Sequence, residues 1–147
     1  MVFSAGTLNT AQLFNALLNN NSGVTSVSTQ ETSSSTSYTD LATVGPTVTL
    51  TSAGNRALLL WTTTQFSNSA TISGQHCSVA ITGATTIAAS DSISLRTTHD
   101  NQGAGFRVAQ FAFLTINPGS NTYTMKYRCV SAVTSVWATR SLFVFAP

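Results

Sequence analysis

Tyr123-Thr124-Met125-Lys126-Tyr127-Arg128-Cys129 is the stretch that decides the fold class. Tyr, Met, Tyr and Cys occupy every second position, with Thr, Lys and Arg between them, so an extended chain buries one face and wets the other. Just before it, Asn117-Pro118-Gly119-Ser120 is a turn, in which Pro fixes φ at one central position and Gly supplies a positive φ at the next.

The same signals recur outward from this strand. Apolar or β-branched runs lie near 38–43, 47–52, 57–66, 76–82, 92–97, 105–116, 121–130 and 135–145. Turn formers such as Val44-Gly45-Pro46, Ser52-Ala53-Gly54-Asn55 and Asp100-Asn101-Gln102-Gly103 separate them. About eight strands with short turns and no alternating helices predict an all-β fold, an antiparallel β-sandwich of jelly-roll type. No period of the length that marks propellers or solenoids is present.

Two runs are apolar on both faces, Leu58-Leu59-Leu60-Trp61 and Leu142-Phe143-Val144-Phe145. Such a strand is either central and covered from both sides or placed at a subunit contact. For Trp137, Phe143 and Phe145 both readings stay open, and the three are candidate intersubunit contacts.

Upstream of the strands, the chain carries no charged side chain before Glu31. Residues 9–18, NTAQLFNALL, open on a helix-capping residue type and place Leu13, Phe14, Leu17 and Leu18 at helical spacing. Asn19-Asn20-Asn21-Ser22-Gly23 then stops the helix. A helix of about ten residues is marginal in water, so its apolar stripe must dock on its own sandwich or on a neighbour. The expected organisation is an N-terminal arm over residues 1–23 and a sandwich over 24–147. Residues 31–37, ETSSSTS, are a polar stretch that reads as an exposed loop or the outer part of an edge strand.

The 147 residues suit one domain. Only 7% are charged while 42% are hydrophobic, and Ser, Thr, Asn and Gln fill the polar positions. A surface so poor in charge lacks the usual protection against self-association and suits a part of a larger assembly. The apolar fraction and a mean hydropathy of +0.17 argue against a disordered chain. Six basic and four acidic residues, with a net charge of +2, are too weak a field to imply nucleic acid. No apolar stretch is long enough for a membrane span, and the first residues lack the pattern of a signal peptide, so the expectation is a protein made in a cytoplasm. Cys77 and Cys129 fit no metal or redox spacing, sit among apolar neighbours, and read as buried free thiols.

No nucleophile elbow, phosphate-binding glycine loop or zinc-protease motif occurs, and the expectation is a protein that is not an enzyme and has no cofactor. The best chemical candidates are His76-Cys77, Asp91 and His99-Asp100. Adjacent strand residues point to opposite faces, so His76 and Cys77 do not easily share one metal ion. The plainer reading puts Cys77 in the core, His76 outward and His99-Asp100 in a turn. Lys126 and Arg128 share a strand face; with Arg107 and Arg140 on neighbouring strands they would form a modest positive patch suited to an acidic protein surface. Ordinary solvated strand faces are the competing reading.

Several runs carry a resemblance. Residues 31–46 (ETSSSTSYTDLATVGP), 81–91 (ITGATTIAASD), 118–128 (PGSNTYTMKYR) and 140–142 (RSL) resemble a module of tailed-bacteriophage virion proteins, and residues 5–13 (AGTLNTAQL) resemble the leader that precedes it. That family consists of small β-sandwich structural proteins that act as capsid decoration (cement) proteins or as parts of tails and fibres. The resemblance implies a protein of the virion that binds major capsid protein subunits on the outer surface of the head, as a homotrimer. Phe3, Leu13, Phe14, Leu17 and Leu18 are then the candidate capsid or intersubunit contacts. The alternative is a tail or fibre module that binds host-surface glycan, with Trp61, Trp137 and Tyr38 as stacking candidates. His76-Cys77 and Cys129 match nothing functional in the family.

Overall fold

The computed structural model describes residues 21–67, 73–99 and 105–147, together with Asn15. Asn15 and Asn21 are helical; the rest of the expected helix of residues 9–18, with Phe3, Leu13, Phe14, Leu17 and Leu18, lies outside the described residues.

The strands are β1 (Ser22–Val27), β2 (Glu31–Ser33), β3 (Thr47–Ser52), β4 (Arg56–Ser67), β5 (Ser73–Gly83), β6 (Leu95–His99), β7 (Gly105–Thr115), β8 (Gly119–Cys129) and β9 (Ser135–Phe145), with a 3-10 turn at Asp91–Ile93. Sheet A runs β1-β9-β4-β7, with the short β2 also on β9; sheet B runs β3-β8-β5-β6. Leaving β2 aside, the pairing is nested. The first strand pairs with the last, then β3 with β8, β4 with β7 and β5 with β6, all antiparallel. A long hairpin rolled into two facing sheets has this order, and it is a jelly roll, the expected fold class.

β8 behaves as its alternation requires. Tyr123, Met125, Tyr127 and Cys129 are fully buried, and they meet Leu59, Trp61, Trp137, Leu142 and Val144 of sheet A in one core. Each such large apolar side chain contributes about 1.5–3 kcal/mol through burial. Trp61 Nε1 donates to the Cys77 carbonyl at 3.2 Å and so joins the sheets through a satisfied polar contact. At the turn before β8, Gly119 adopts φ +122, the positive value expected of it.

Residues 22–27 pair with β9 as β1. Of the two readings of the 31–37 stretch, exposed loop or edge strand, residues 31–33 take the second, as a short edge strand on the same partner. Two expectations need correction. Residues 38–43 are not a strand: only Thr39 bridges Tyr127, and the ladder on β8 resumes at Thr47, after Gly45 at φ +92 and a Pro that has no N–H to donate. The run expected at 92–97 begins as the 3-10 turn, and β6 follows from Leu95.

Candidate interaction face

β9 holds the irregularity that sorts its side chains. The β4–β9 register shifts between Thr62 and Thr64, opposite Thr139 at φ 45. A bulge adds one residue and changes which face the following side chains take. Trp137 points into the core before it; after it, Arg140, Leu142 and Val144 point inward and Phe143 and Phe145 outward.

The outward set continues across sheet A. Val24 stands opposite Phe143, Phe143 opposite Leu60, and Leu60 opposite Phe111. The next row toward the strand ends is Ser22, Phe145, Leu58 and Phe113. Val24, Phe111 and Phe113 are 68%, 62% and 68% exposed. The two rings of β7 meet edge-on, with centroids 6.2 Å apart. Leu58, Phe113 and Phe145, with Arg56 and Pro147, line a hollow of about 230 Å3 at the end of these rows. Further along the strands the face turns polar, with Ser26 and Ser141 hydroxyls 2.9 Å apart and Thr64 and Thr139 hydroxyls also 2.9 Å apart. The outward apolar side chains are therefore densest at one end of this sheet face, while Phe106, Val44 and Val130 are exposed elsewhere. Scattered surface apolar residues are ordinary, but a contiguous patch built on four strands is a candidate interaction surface.

The candidate contacts divide accordingly. Phe143 and Phe145 belong to this face. Trp137 does not: its ring is wholly enclosed by its own chain and packs against Tyr127, with centroids 5.6 Å apart. Trp61 is equally enclosed, so neither tryptophan can stack on a sugar without opening the core. Tyr38 is half-buried and lines a groove of about 450 Å3 on the outside of sheet B, beside Ala80, Ala88, Ala89, Lys126 and Arg128.

That groove ends in a polar cluster that the sequence reading did not assemble. Arg128 binds both carboxylate oxygens of Asp91, with Nε to Oδ1 at 2.9 Å; Tyr38 donates to Oδ1 at 2.9 Å, and the guanidinium lies over the Tyr38 ring. The Arg128 and Tyr38 hydrogen bonds hold the Asp91 carboxyl down at about 2. Burial, helped by the neighbouring Asp91 carboxylate, carries Tyr38 up to about 12. His76 is 5% exposed, and burial followed by Arg128 lowers its pKa. Asp91, His76 and Ser94 look like a catalytic set, but the geometry denies it. Ser94 Oγ at 2.8 Å and Asp91 Oδ1 at 3.6 Å both approach His76 Nδ1, whereas a relay needs acid and nucleophile on opposite ring nitrogens. Nε2 faces the Arg128 guanidinium at 3.4 Å. The cluster is a latch that fastens the 34–46 loop and the 3-10 turn to sheet B.

Cys77 is a core residue, on the face opposite His76, and both cysteines are free and buried. Burial pushes each thiol up, away from reactivity. No group of three or more metal-ligating side chains occurs among the described residues. The His99 side chain and Asp100 lie outside them. No helix among the described residues is long and apolar enough to cross a membrane.

The positive patch does not form. Lys126 binds Asp40 at 2.7 Å and Arg128 binds Asp91. Arg107 is exposed on β7 of the other sheet, and Arg140 is buried against Glu31 at 2.6 Å and over the Tyr127 ring. Burial opposes ionisation of Glu31, but hydrogen bonds from Thr43 and Arg140 outweigh it and hold the carboxyl below the ordinary range.

No family model matches the chain, and no curated protein matches it in sequence. Among solved structures, it is similar to dimeric latent PorU from Porphyromonas gingivalis (TM-score 0.43, 11% identity), covering 85% of this chain and 12% of that one. It is also similar to the infectious bursal disease virus Gx strain structure (TM-score 0.42, 16% identity), with 85% and 33% covered. A third is the exo-beta-1,3-galactanase of Phanerochaete chrysosporium with galactose (TM-score 0.28, 15% identity), with 84% and 29% covered. The chain spans a third or less of the length of each.

Proposed function

We propose that the chain is a virion structural protein of a tailed phage, a capsid decoration protein that binds the outer surface of the head and stabilises contacts between major capsid protein subunits, with itself as a trimer. The observation that carries this reading is the apolar end of the outer face of sheet A. A module that works by cementing needs complementary surface spread over neighbours and no reacting group. The near absence of charge supports it, because an assembled subunit is protected by its neighbours where a free one relies on charge. The sequence resemblance to phage virion modules points the same way. In this reading the contact surface combines the sheet A face with the N-terminal segment that enters the sheet beside it, and nucleic acid, membrane and cofactor have no part.

The alternative of a glycan-binding tail or fibre module keeps only Tyr38, and the Arg128 guanidinium already lies over that ring at 5.5 Å. Electron micrographs of virions labelled with an antibody to this chain separate the two. Label over the head supports decoration; label confined to the tail or fibres overturns it.

A further inference from the structure

We infer that the outer edge of β7 is a pairing surface for a second copy of this chain, whose own β7 lies against it antiparallel about a twofold axis through Gln110. β7 ends the path β1-β9-β4-β7 of sheet A, so one side of it meets β4 and the other is an edge. From Arg107 to Thr115 the backbone on that edge has no partner among the described residues. Such an edge presents a row of N–H and C=O groups to any strand that matches it, and proteins blunt it with short strands, lysine, proline or bulges.

β7 carries none of these devices. The other strands at the ends of the two sheet paths, β1, β3 and β6, have 6, 6 and 5 residues, whereas β7 has 11. Its sequence, GFRVAQFAFLT, holds no Pro and no Lys, and its register with β4 runs from Thr115 to Gly105 without a shift. Its inner face is also incompletely covered. Val108, Ala112 and Leu114 pack on the core but are only partly buried, and Gln110 between them is exposed. A strand added at the edge would cover both faces at once.

The sequence of β7 is complementary to itself, which selects its own copy as the occupant. In an antiparallel pair centred on Gln110 the whole strand is matched, Gly105 against Thr115 at each end. On the outer face, Phe111, 62% exposed, stands beside Ala109 of the second copy, so a large side chain meets a small one. Phe113, 68% exposed, stands beside Arg107 of the second copy, within reach of a cation over its ring. The single charge of the strand therefore falls opposite an aromatic side chain and not opposite its like, which would destabilise the pair. On the inner face, Phe106, 54% exposed, meets Leu114. The two Gln110 amides meet at the axis, each with a donor and an acceptor for the other. Because the axis stands perpendicular to the sheet, the outward faces of both copies lie on one side, and the apolar rows through Leu58 and Leu60 continue from one copy into the next. The inference concerns a twofold contact and rests on neither the capsid reading nor the trimer.

Two substitutions at the axis test it, and Gln110 is exposed, so both leave the core untouched. Gln110→Lys sets two ammonium groups opposite each other. Sedimentation of the full chain over a micromolar dilution series is expected to show twice as many chains per particle for the wild type as for this variant, whether the unit that doubles is one chain or a trimer. Equal masses overturn the inference and leave the trimer standing. Gln110→Cys reads the register, because Cys77 and Cys129 are buried and the new thiol is the exposed one. Mild oxidation is expected to join two chains through position 110, as mapped by mass spectrometry. In the same register Arg107→Cys lies about 20 Å from its equivalent across the axis, too far for a disulfide, and is expected to stay unlinked. Position 110 remaining unlinked, or position 107 linking as readily, overturns the inference.

Discussion

Arg140 shows how much one side chain depends on an event several ångströms away. In a regular strand it would share a face with Trp137 only by breaking the alternation, and the bulge at Thr139 breaks it. Its Nη2 reaches Glu31 Oε2 at 2.6 Å and the Thr29 carbonyl at 3.3 Å, tying β9 to β2. Removing one partner of such a pair strands the other charge away from water. Arg140→Ala is therefore expected to lower the unfolding free energy by about 3 kcal/mol in urea titration. A loss under about 1 kcal/mol would show a pair no stronger than a surface one. Arg140 was expected on a positive patch because sequence alternation does not reveal a bulge.

Asp91 carries the second residue-scale prediction. Its folded pKa, about 2, lies below the ordinary 3.8, so its contribution to stability is complete above 3.8 and is lost as pH falls toward 2. Glu31 acts in the same direction. Asp91→Asn is expected to flatten the fall in melting temperature across that window, while leaving the Glu31 part in place. An unchanged acid profile would mean that the latch adds nothing to stability.

At the scale of elements, the long strands were legible because their patterns are strong. β3 and β9 occupy the spans read from the sequence, 47–52 and 135–145, and the turn before β8 uses Gly119 as expected. Gly119 combines φ +122 with a position where an added Cβ would lie 3.0 Å from the Ala84 side chain. Gly119→Ala is accordingly expected to cost about 1–3 kcal/mol, seen as a lower melting temperature, and no change would contradict the strained-turn account. β1 was not read as a strand although Val24, Thr25 and Val27 are β-branched, because it is short and flanked by polar residues and Gly, and at 31–37 the sequence left loop and edge strand open; β9 offers both β1 and β2 an edge to pair with. The run at 38–43 had the signal but not the ladder. The polar cluster was illegible for another reason, since Tyr38, His76, Asp91 and Arg128 converge only when sheet B forms and the loop folds back over it.

For the whole molecule, the two-faced runs noted in the sequence resolve into a core-facing half and an outward apolar half, the rows through Leu58 and Leu60. The jelly roll accounts for the first, and the second calls for cover from outside the sandwich. With a trimer as the proposed state, sedimentation over a dilution series is expected to show three chains in solution or on the particle, and a monomer in both settings would contradict that assembly.

The most direct measurement is saturation of undecorated phage heads by the purified protein, comparing the wild type with Phe111→Asp/Phe113→Asp. Both rings are mostly exposed, so the variant should keep the fold. The account predicts saturable binding of the wild type and a loss of at least tenfold in affinity for the folded variant, equivalent to about 1.4 kcal/mol. Equal binding by the two proteins, or no binding by the wild type, would contradict the claim that this face holds the subunit to the particle.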